Sequence, residues 1–407
     1  MRGCTVKERL RADEGGSLAR IRGSQATAES NILDQLQSIA DDWRTQRADR
    51  QRRRSLDRAD FDRLAWVGFL LTGVPVEQGG LWEGPQKSVR LYSNFIYAIA
   101  RGDPSVALVA SMHPAVLVSW IANAAAPEPY AQAWSEQRDW CFQTARDGNW
   151  WGTVTSEPGS GGDIMKTRAV AEGDDAAGIY RLTGDKHFGS GSGITSYMIT
   201  TAKPAGSTAP TMFFMNMQGA AWDGSEGIRL TAEWDGHGMS ATQSHGFRFD
   251  GFPAQAMAWP GAAQASGAAA AQLGGAMFTA VIAAIVDEAI ATARAKLGPK
   301  KDEMRPYEQI EWTRLINLAW TIAQVREGAL AAVERGHGGV SATARAKAIV
   351  AEHAESCLTL LGRVVGGGSF SRGAPYGQWA QDVRALGFLR PPWGLAYDQL
   401  FAQSWAD

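Results

Sequence analysis

Apolar residues recur at helical spacing through the first third of the chain. Ile32, Leu33, Leu36 and Ile39 share one face, and Phe61, Leu64, Ala65 and Phe69 share another. Asp57 and Asp60 stand ahead of the second run as a cap or first-turn acids. The stretch 28–148 is expected to be a helical domain, punctuated at Gly79-Gly80 and Asp103-Pro104. From 149 to 260 the period changes. Thr153–Ser156, Ile179–Thr183, Tyr197–Thr201, Thr211–Met217, Ile228–Thr231 and Gly246–Asp250 are short β-rich runs separated by glycine, proline and Asp-Gly signals. Gly246-Phe247-Arg248-Phe249-Asp250 alternates strictly, so a small antiparallel β domain or barrel is expected here. From 261 to 407 the helical pattern returns. Phe278, Val281, Ile282, Ile285 and Val286 form one stripe, Leu315, Leu318, Ala319, Ile322 and Val325 a second, and 342–361 a third long helix. The layout is α+β: helical domain, middle β domain, C-terminal helical bundle. The polar, glycine-containing residues 1–27 are expected to be mobile.

Composition narrows this picture only slightly. A formal charge of −2 with 20% charged residues offers no field for nucleic acid or a membrane surface. Arg50-Gln51-Arg52-Arg53-Arg54 is flanked by aspartates on both sides and reads as a solvated face. Three scattered cysteines argue against a disulfide framework or a zinc site and suit a reducing, cytoplasmic compartment. The stretch 251–286 carries no charge, but Pro253, Pro260 and its alanine-rich composition describe a buried bundle helix better than a membrane span. Sixteen tryptophans, among them Trp150-Trp151, point mainly to packing.

Candidate chemistry lies in two polar, glycine-bearing segments of the middle region. They are Thr155-Ser156-Glu157-Pro158-Gly159-Ser160-Gly161-Gly162-Asp163 and Gly184-Asp185-Lys186-His187-Phe188-Gly189-Ser190-Gly191. Glycines permit positive φ and close backbone approach, hydroxyls meet polar ring edges, and Phe188 offers an aromatic face, a combination that suits a flat, polar ligand. No dinucleotide-binding G-x-G-x-x-G turn, P-loop, H-E-x-x-H or G-x-S-x-G is present.

The first segment resembles the T-E-P-x-x-G-S-D element of the acyl-CoA dehydrogenase superfamily, and the likeness runs from about residue 28 to 385. It implies a flavin, FAD with FMN as the alternative. In this resemblance Thr155 and Ser156 face the flavin pyrimidine edge, Gly161 and Gly162 follow in the loop, and Gly162 replaces the family's serine. The second segment is similar to G-x-K-x-W-I-T-N, with Phe188 in place of tryptophan to pack the ring and Ser190 in place of threonine to donate to N5 or O4. Gly238-Met239-Ser240-Ala241-Thr242-Gln243-Ser244-His245 resembles the closing G-x-R-x-T-x-S, with His237 and His245 read as structural. Arg305 and Gln309 stand where the family contacts the FAD of a neighbouring subunit, and Arg363, Gly366 and Gly367 at its pyrophosphate element, the arginine replacing a glutamine. A homo-oligomer, dimer or tetramer, is implied.

The family's catalytic glutamate has no counterpart. After Gln381-Asp382-Val383-Arg384 comes Ala385-Leu386-Gly387-Phe388-Leu389-Arg390-Pro391-Pro392, without a carboxylate, and Pro260–Ser266 has none either. The expected activity is that of a flavin-dependent oxidoreductase acting on an acyl thioester or similar apolar small molecule. Two alternatives stand beside it. One is a two-component monooxygenase working through a C4a-peroxide of the flavin, which needs no such base and for which Phe388, Leu389, Pro391, Pro392 and Trp393 would shield the site from water. The other is a non-catalytic flavin-binding paralogue. Ser190 and His187, with His113 behind them, are the candidates for proton handling, and an electron-transferring flavoprotein or a flavin reductase the implied partner.

Overall fold

The computed structural model describes residues 29–174 and 178–405. The segment expected to be mobile, 1–27, lies outside them. Six helices come first: α1 (29–45), α2 (Arg47–Arg52), α3 (Arg58–Trp66), α4 (Pro85–Gly102), α5 (Pro104–Ile121) and α6 (Ala131–Arg146). Asp57 caps α3, its side chain accepting from the Ala59 N–H, and Asp103 caps α5 through Ser105 and Val106. The basic run departs from expectation at its first member. Arg50 is buried, hydrogen-bonded to Asp60 and Asp103 and lying 4.4 Å from the Trp43 ring centre. Two interior aspartates make this guanidinium a tie between α2, α3 and α5.

The middle region folds as a seven-stranded sheet: β1 (Trp151–Thr153), β2 (Val170–Asp174), β3 (Ile179–Gly189), β4 (Tyr197–Pro204), β5 (Thr211–Asn216), β6 (Ile228–Ala232) and β7 (His245–Ala256). Its order is β1-β4-β2-β3-β7-β5, with β6 beside β7 and β5 pairing back onto β4, which curls the sheet toward a barrel. Most pairings are antiparallel, but β4 runs parallel to β1 and β2. The long excursion through β2 and β3 supplies the crossover that parallel pairing requires. Phe247 and Phe249 point inward while Arg248 and Asp250 stay exposed, the alternation that the sequence predicts for β7. Strand β3 is longer than the sequence run, so Gly184–Gly189 lies within it.

The remaining elements are α7 (Ala262–Ala265), α8 (Gly267–Leu297), α9 (Pro306–Glu334), α10 (Gly339–Val365), α11 (Tyr376–Leu386) and α12 (Trp393–Ser404). Helix α8 packs against α4, α5 and α10, and its apolar residues are buried on nearly all sides. A Cβ at Gly275 would come within 2.9 Å of Thr343 Cβ, so this glycine sets the close approach of α8 and α10. Helices α5 and α8 are long and apolar enough to cross a membrane, yet both are mostly buried within the fold. Trp43, Trp120, Trp134, Trp150 and Trp151 are fully buried; Trp150 and Trp151 join the helical core to the first strand.

Candidate functional site

The loop after β1 is anchored from beneath by a buried ion pair. Glu157 turns inward and accepts hydrogen bonds from Lys186 Nζ (2.6 Å), from the Thr167 hydroxyl, and from the N–H groups of Arg168 (2.7 Å) and Ala169 (3.2 Å). Burial opposes its charge, but the bonds from Lys186, Thr167 and Arg168 outweigh burial and hold the carboxyl below its ordinary range. Lys186 also donates to the Thr201 carbonyl (2.6 Å). With its underside fixed, the loop presents Ser156, whose carbonyl accepts from the His187 N–H (2.9 Å) and whose hydroxyl is part-buried and accepts from Arg390.

A second segment closes the loop from above. Residues 387–392, between α11 and α12, are gathered by Lys347 of α10, which donates to the carbonyls of Gly387 (2.8 Å), Leu389 (2.7 Å) and Pro391 (2.9 Å). Pro392 then rests on Gly162. There φ is +83° and an added Cβ would sit 2.9 Å from Pro392 Cγ, so the strap excludes the serine that the resemblance leads one to expect. From the same strap Arg390 donates to Ser156 Oγ at 2.8 Å. Its guanidinium is largely buried, which lowers its pKa, and Asp163 opposes this only at a distance.

The third wall is formed by the end of β3 and the 239–244 turn. A bulge between Lys186 and Gly189 interrupts the pairing of β3 with β7, and Phe188 at φ +58° swings its ring outward. That ring is half exposed, braced by His187 at 4.2 Å and Trp234 at 6.1 Å between centres. Beside it runs a row of hydroxyls: Ser190 Oγ lies 2.8 Å from Ser244 Oγ, which lies 2.7 Å from Thr242 Oγ1, and Thr242 donates to the Met239 carbonyl at 2.8 Å. Each hydroxyl has one proton and the terminal carbonyl can only accept. With Thr242 spent on Met239, Ser244 donates to Thr242 and Ser190 donates to Ser244, which leaves Ser190 Oγ free to accept. Rotating all three hydroxyls reverses the row, and Ser190 then donates. Asp382 steadies the turn by accepting from the Met239 N–H at 2.6 Å, and burial pushes its pKa up to about 7.

The histidines divide clearly. His113 is fully buried; its Nδ1 accepts from the Trp151 N–H (3.3 Å) and its Nε2 faces the Leu70 carbonyl (3.0 Å). Those partners assign the neutral Nε2–H tautomer, and burial lowers the pKa to about 4. It braces α5 against β1 and has no ring nitrogen left for proton transfer. His245 likewise accepts from the Trp234 N–H (3.0 Å). His187 stays on the rim of the cradle, half-buried, with its pKa lowered by burial.

No family model matches the sequence, and no curated relative matches it. Solved structures do. FMN-bound TdsC from Paenibacillus sp. A11-2, elsewhere titled a dibenzothiophene monooxygenase, superposes with TM-score 0.75 at 19% identity over 92% of this chain and 97% of its own. A nitrososynthase from Micromonospora carbonacea var. africana gives 0.76 at 20% identity over 93% and 97%. Butyryl-CoA dehydrogenase from Megasphaera elsdenii gives 0.76 at 16% identity over 93% and 98%. The chain has the acyl-CoA dehydrogenase fold.

Within that fold the second group of candidate residues forms its own cluster on α9 and α10, and its contacts do not reach the cradle. Arg305 precedes α9, where Glu308 accepts from its N–H (2.8 Å), and Gln309 donates to the Met304 carbonyl (2.8 Å). Arg363 is paired with Glu311 (3.0 Å), which also holds Arg314 (2.7 Å). Gly366 ends α10 at φ +80° and Gly367 follows, both with open space where a Cβ would be. A cavity of about 610 Å³ opens elsewhere, lined by Trp140, Tyr197, Phe214, Asn216 and Gln255, and shares no lining residue with the cradle. It has an aromatic wall but none of the convergent hydroxyls. Sequence reasoning passed over Arg390 and the Glu157–Lys186 pair, and it used Thr242, Ser244 and Asp382 only as fold markers.

Proposed function

We propose that this chain is a flavin-dependent oxidoreductase whose isoalloxazine ring lies in the cradle between Ser156, Phe188 and Ser190. The observation that carries this reading is that the pairing of Ser156 with His187 brings the Ser156 hydroxyl close to the half-exposed ring of Phe188 and to the hydroxyl row that starts at Ser190, which can either donate or accept. A flavin ring needs that set: a polar edge, a face to stack on, and a nitrogen that is an acceptor when oxidised and a donor when reduced. Thr155 and Gly161 complete the loop side. When bound, the flavin supplies the electron transfer, and the residues described here hold and orient it, exclude water, and place a reversible proton position at Ser190 Oγ.

FAD and FMN both suit the cradle. The pairing of Arg363 with Glu311 supports FMN, because the carboxylate neutralises the arginine that the resemblance assigns to a pyrophosphate. The oxygenase form of the reading draws support from the strap, which brings Leu389, Pro391, Pro392 and the Arg390 cation to the cradle but no carboxylate that could take an α-proton. Dehydrogenation of an acyl thioester is the competing form. The test is the visible spectrum of protein reconstituted with FMN or FAD and mixed anaerobically with a panel of acyl-CoAs. The oxygenase form predicts no bleaching, followed by rapid reaction with oxygen after chemical reduction. Bleaching by any acyl-CoA would establish dehydrogenase chemistry instead, and failure to bind either flavin would overturn the proposal.

A further inference from the structure

We propose that Arg390 is the counter-charge for the reduced flavin, reaching its pyrimidine edge from the strap. The inference rests on the flavin reading above and deepens it. Three observations point the same way. Arg390 donates to the hydroxyl of Ser156, the residue assigned to that edge, at 2.8 Å. Although partly buried, it has one hydrogen-bonded partner among the described residues, and that partner is neutral. More deeply buried cations of this chain have more partners: Arg50 has Asp60 and Asp103, Lys186 has Glu157, and Lys347 has three carbonyls. A guanidinium has five N–H donors in a fixed fork, so one bond to a hydroxyl leaves most of its capacity for an incoming acceptor. Finally, the position is imposed rather than sampled. Lys347 fastens the carbonyls of Leu389 and Pro391 on either side of Arg390, and Pro392 is seated on Gly162.

The chemistry that would use this cation follows from electron and proton counting. Two electrons from an external reductant and one proton delivered at N5 leave the isoalloxazine with one negative charge, spread over N1 and the C2 carbonyl. A buried cation at that edge favours the reduced, anionic form over the oxidised, neutral one. Asp163, whose charge reaches Arg390, caps its own turn through the Met165 N–H (2.9 Å), and no ion pair joins it to the guanidinium among the described residues. The same cation would favour addition of sulfite at N5, because the adduct also places negative charge at N1.

The test uses the full chain reconstituted with FMN, as wild type, Arg390→Gln and Arg390→Lys. The readouts are the sulfite dissociation constant, taken from bleaching of the visible band, and the two-electron potential against a reference dye. We expect Arg390→Gln to weaken sulfite binding by about tenfold or more and to lower the potential, with Arg390→Lys retaining most of both. Affinity for oxidised FMN should change by less than about threefold, because the neutral ring draws little on the charge. Unchanged sulfite affinity and potential in Arg390→Gln would overturn the proposal. So would a lysine variant that behaves like the glutamine variant, since shape rather than charge would then be responsible. A wild-type chain that takes up no flavin fails one step earlier and overturns the flavin reading together with this one.

Discussion

Two cations border the same nine-residue loop and are treated in opposite ways. Beneath it, Lys186 is sealed in with a carboxylate, a hydroxyl and a carbonyl, every one supplied by the fold. Above it, among the described residues, Arg390 is given one hydroxyl and no carboxylate. The first arrangement is complete without a ligand and holds the loop in place. The second leaves most of its donors unused. Burial alone therefore does not mark a functional charge; what marks it here is a cation with most of its donors left over.

The comparison breaks most visibly from below. Lys186→Met leaves the buried Glu157 without its lysine, and should cost about 3–5 kcal/mol in chemical denaturation. Replacing both partners, Glu157→Gln with Lys186→Met, should recover a substantial part of that loss, whereas Arg390→Gln should leave flavin-free stability within about 1 kcal/mol of wild type. If the two single variants were equally destabilised, the distinction drawn here would fail.

Gly162→Ser probes the joint between loop and strap. The new side chain meets a φ of +83° and Pro392 Cγ, so a loss of about 1–3 kcal/mol is expected, together with weaker sulfite binding by the FMN-loaded protein as the strap that carries Arg390 is displaced. Stability at wild-type level would show that the strap yields freely.

Asp382 gives a pH signature. Its folded pKa of about 7 lies above the ordinary carboxylate value of 3.8, so the neutral acid is favoured in the folded state. Its contribution is fully present below the unfolded pKa and is lost as pH rises through about 7. Between those limits the wild type should lose about 1 kcal/mol per pH unit relative to Asp382→Asn, measured by urea denaturation at stepped pH. A flat difference would mean that the carboxyl is ionised throughout, held by the Met239 N–H and Gln378.

The smallest effect is expected at Ser244→Ala. It cuts the hydroxyl row and should cost about 0.5–1.5 kcal/mol, with a modest shift of the visible flavin band as Ser190 loses its partner. An unperturbed band would place the flavin nitrogen away from Ser190.

The broad architecture was legible because it rests on period: 3.6 in the flanks, 2 in runs such as 246–250. Strand β2 escaped notice because Val170-Ala171-Glu172-Gly173-Asp174 has weak β character and is held by its neighbours. Thr153–Ser156 reads as a strand, yet β1 stops at Thr153, since Glu157 is drawn inward by a lysine from the next segment. The two glycine-bearing segments stood out by local composition, and the structure does bring Ser156 and His187 together. Arg390 was invisible as a ligand-facing group because its meaning lies in what it lacks, and because Ser156 and Lys347 reach it only through the tertiary fold. Arg50 was misread as solvated for the same reason: its acids, Asp60 and Asp103, come from other helices.

The most direct test of the account is a crystal structure of the protein soaked with FMN. The account predicts the isoalloxazine in the cradle, its pyrimidine edge at Ser156 and Arg390 and its N5 at Ser190. A ring bound in the cavity walled by Trp140, Tyr197 and Phe214, or a cradle left empty at saturating FMN, would contradict it.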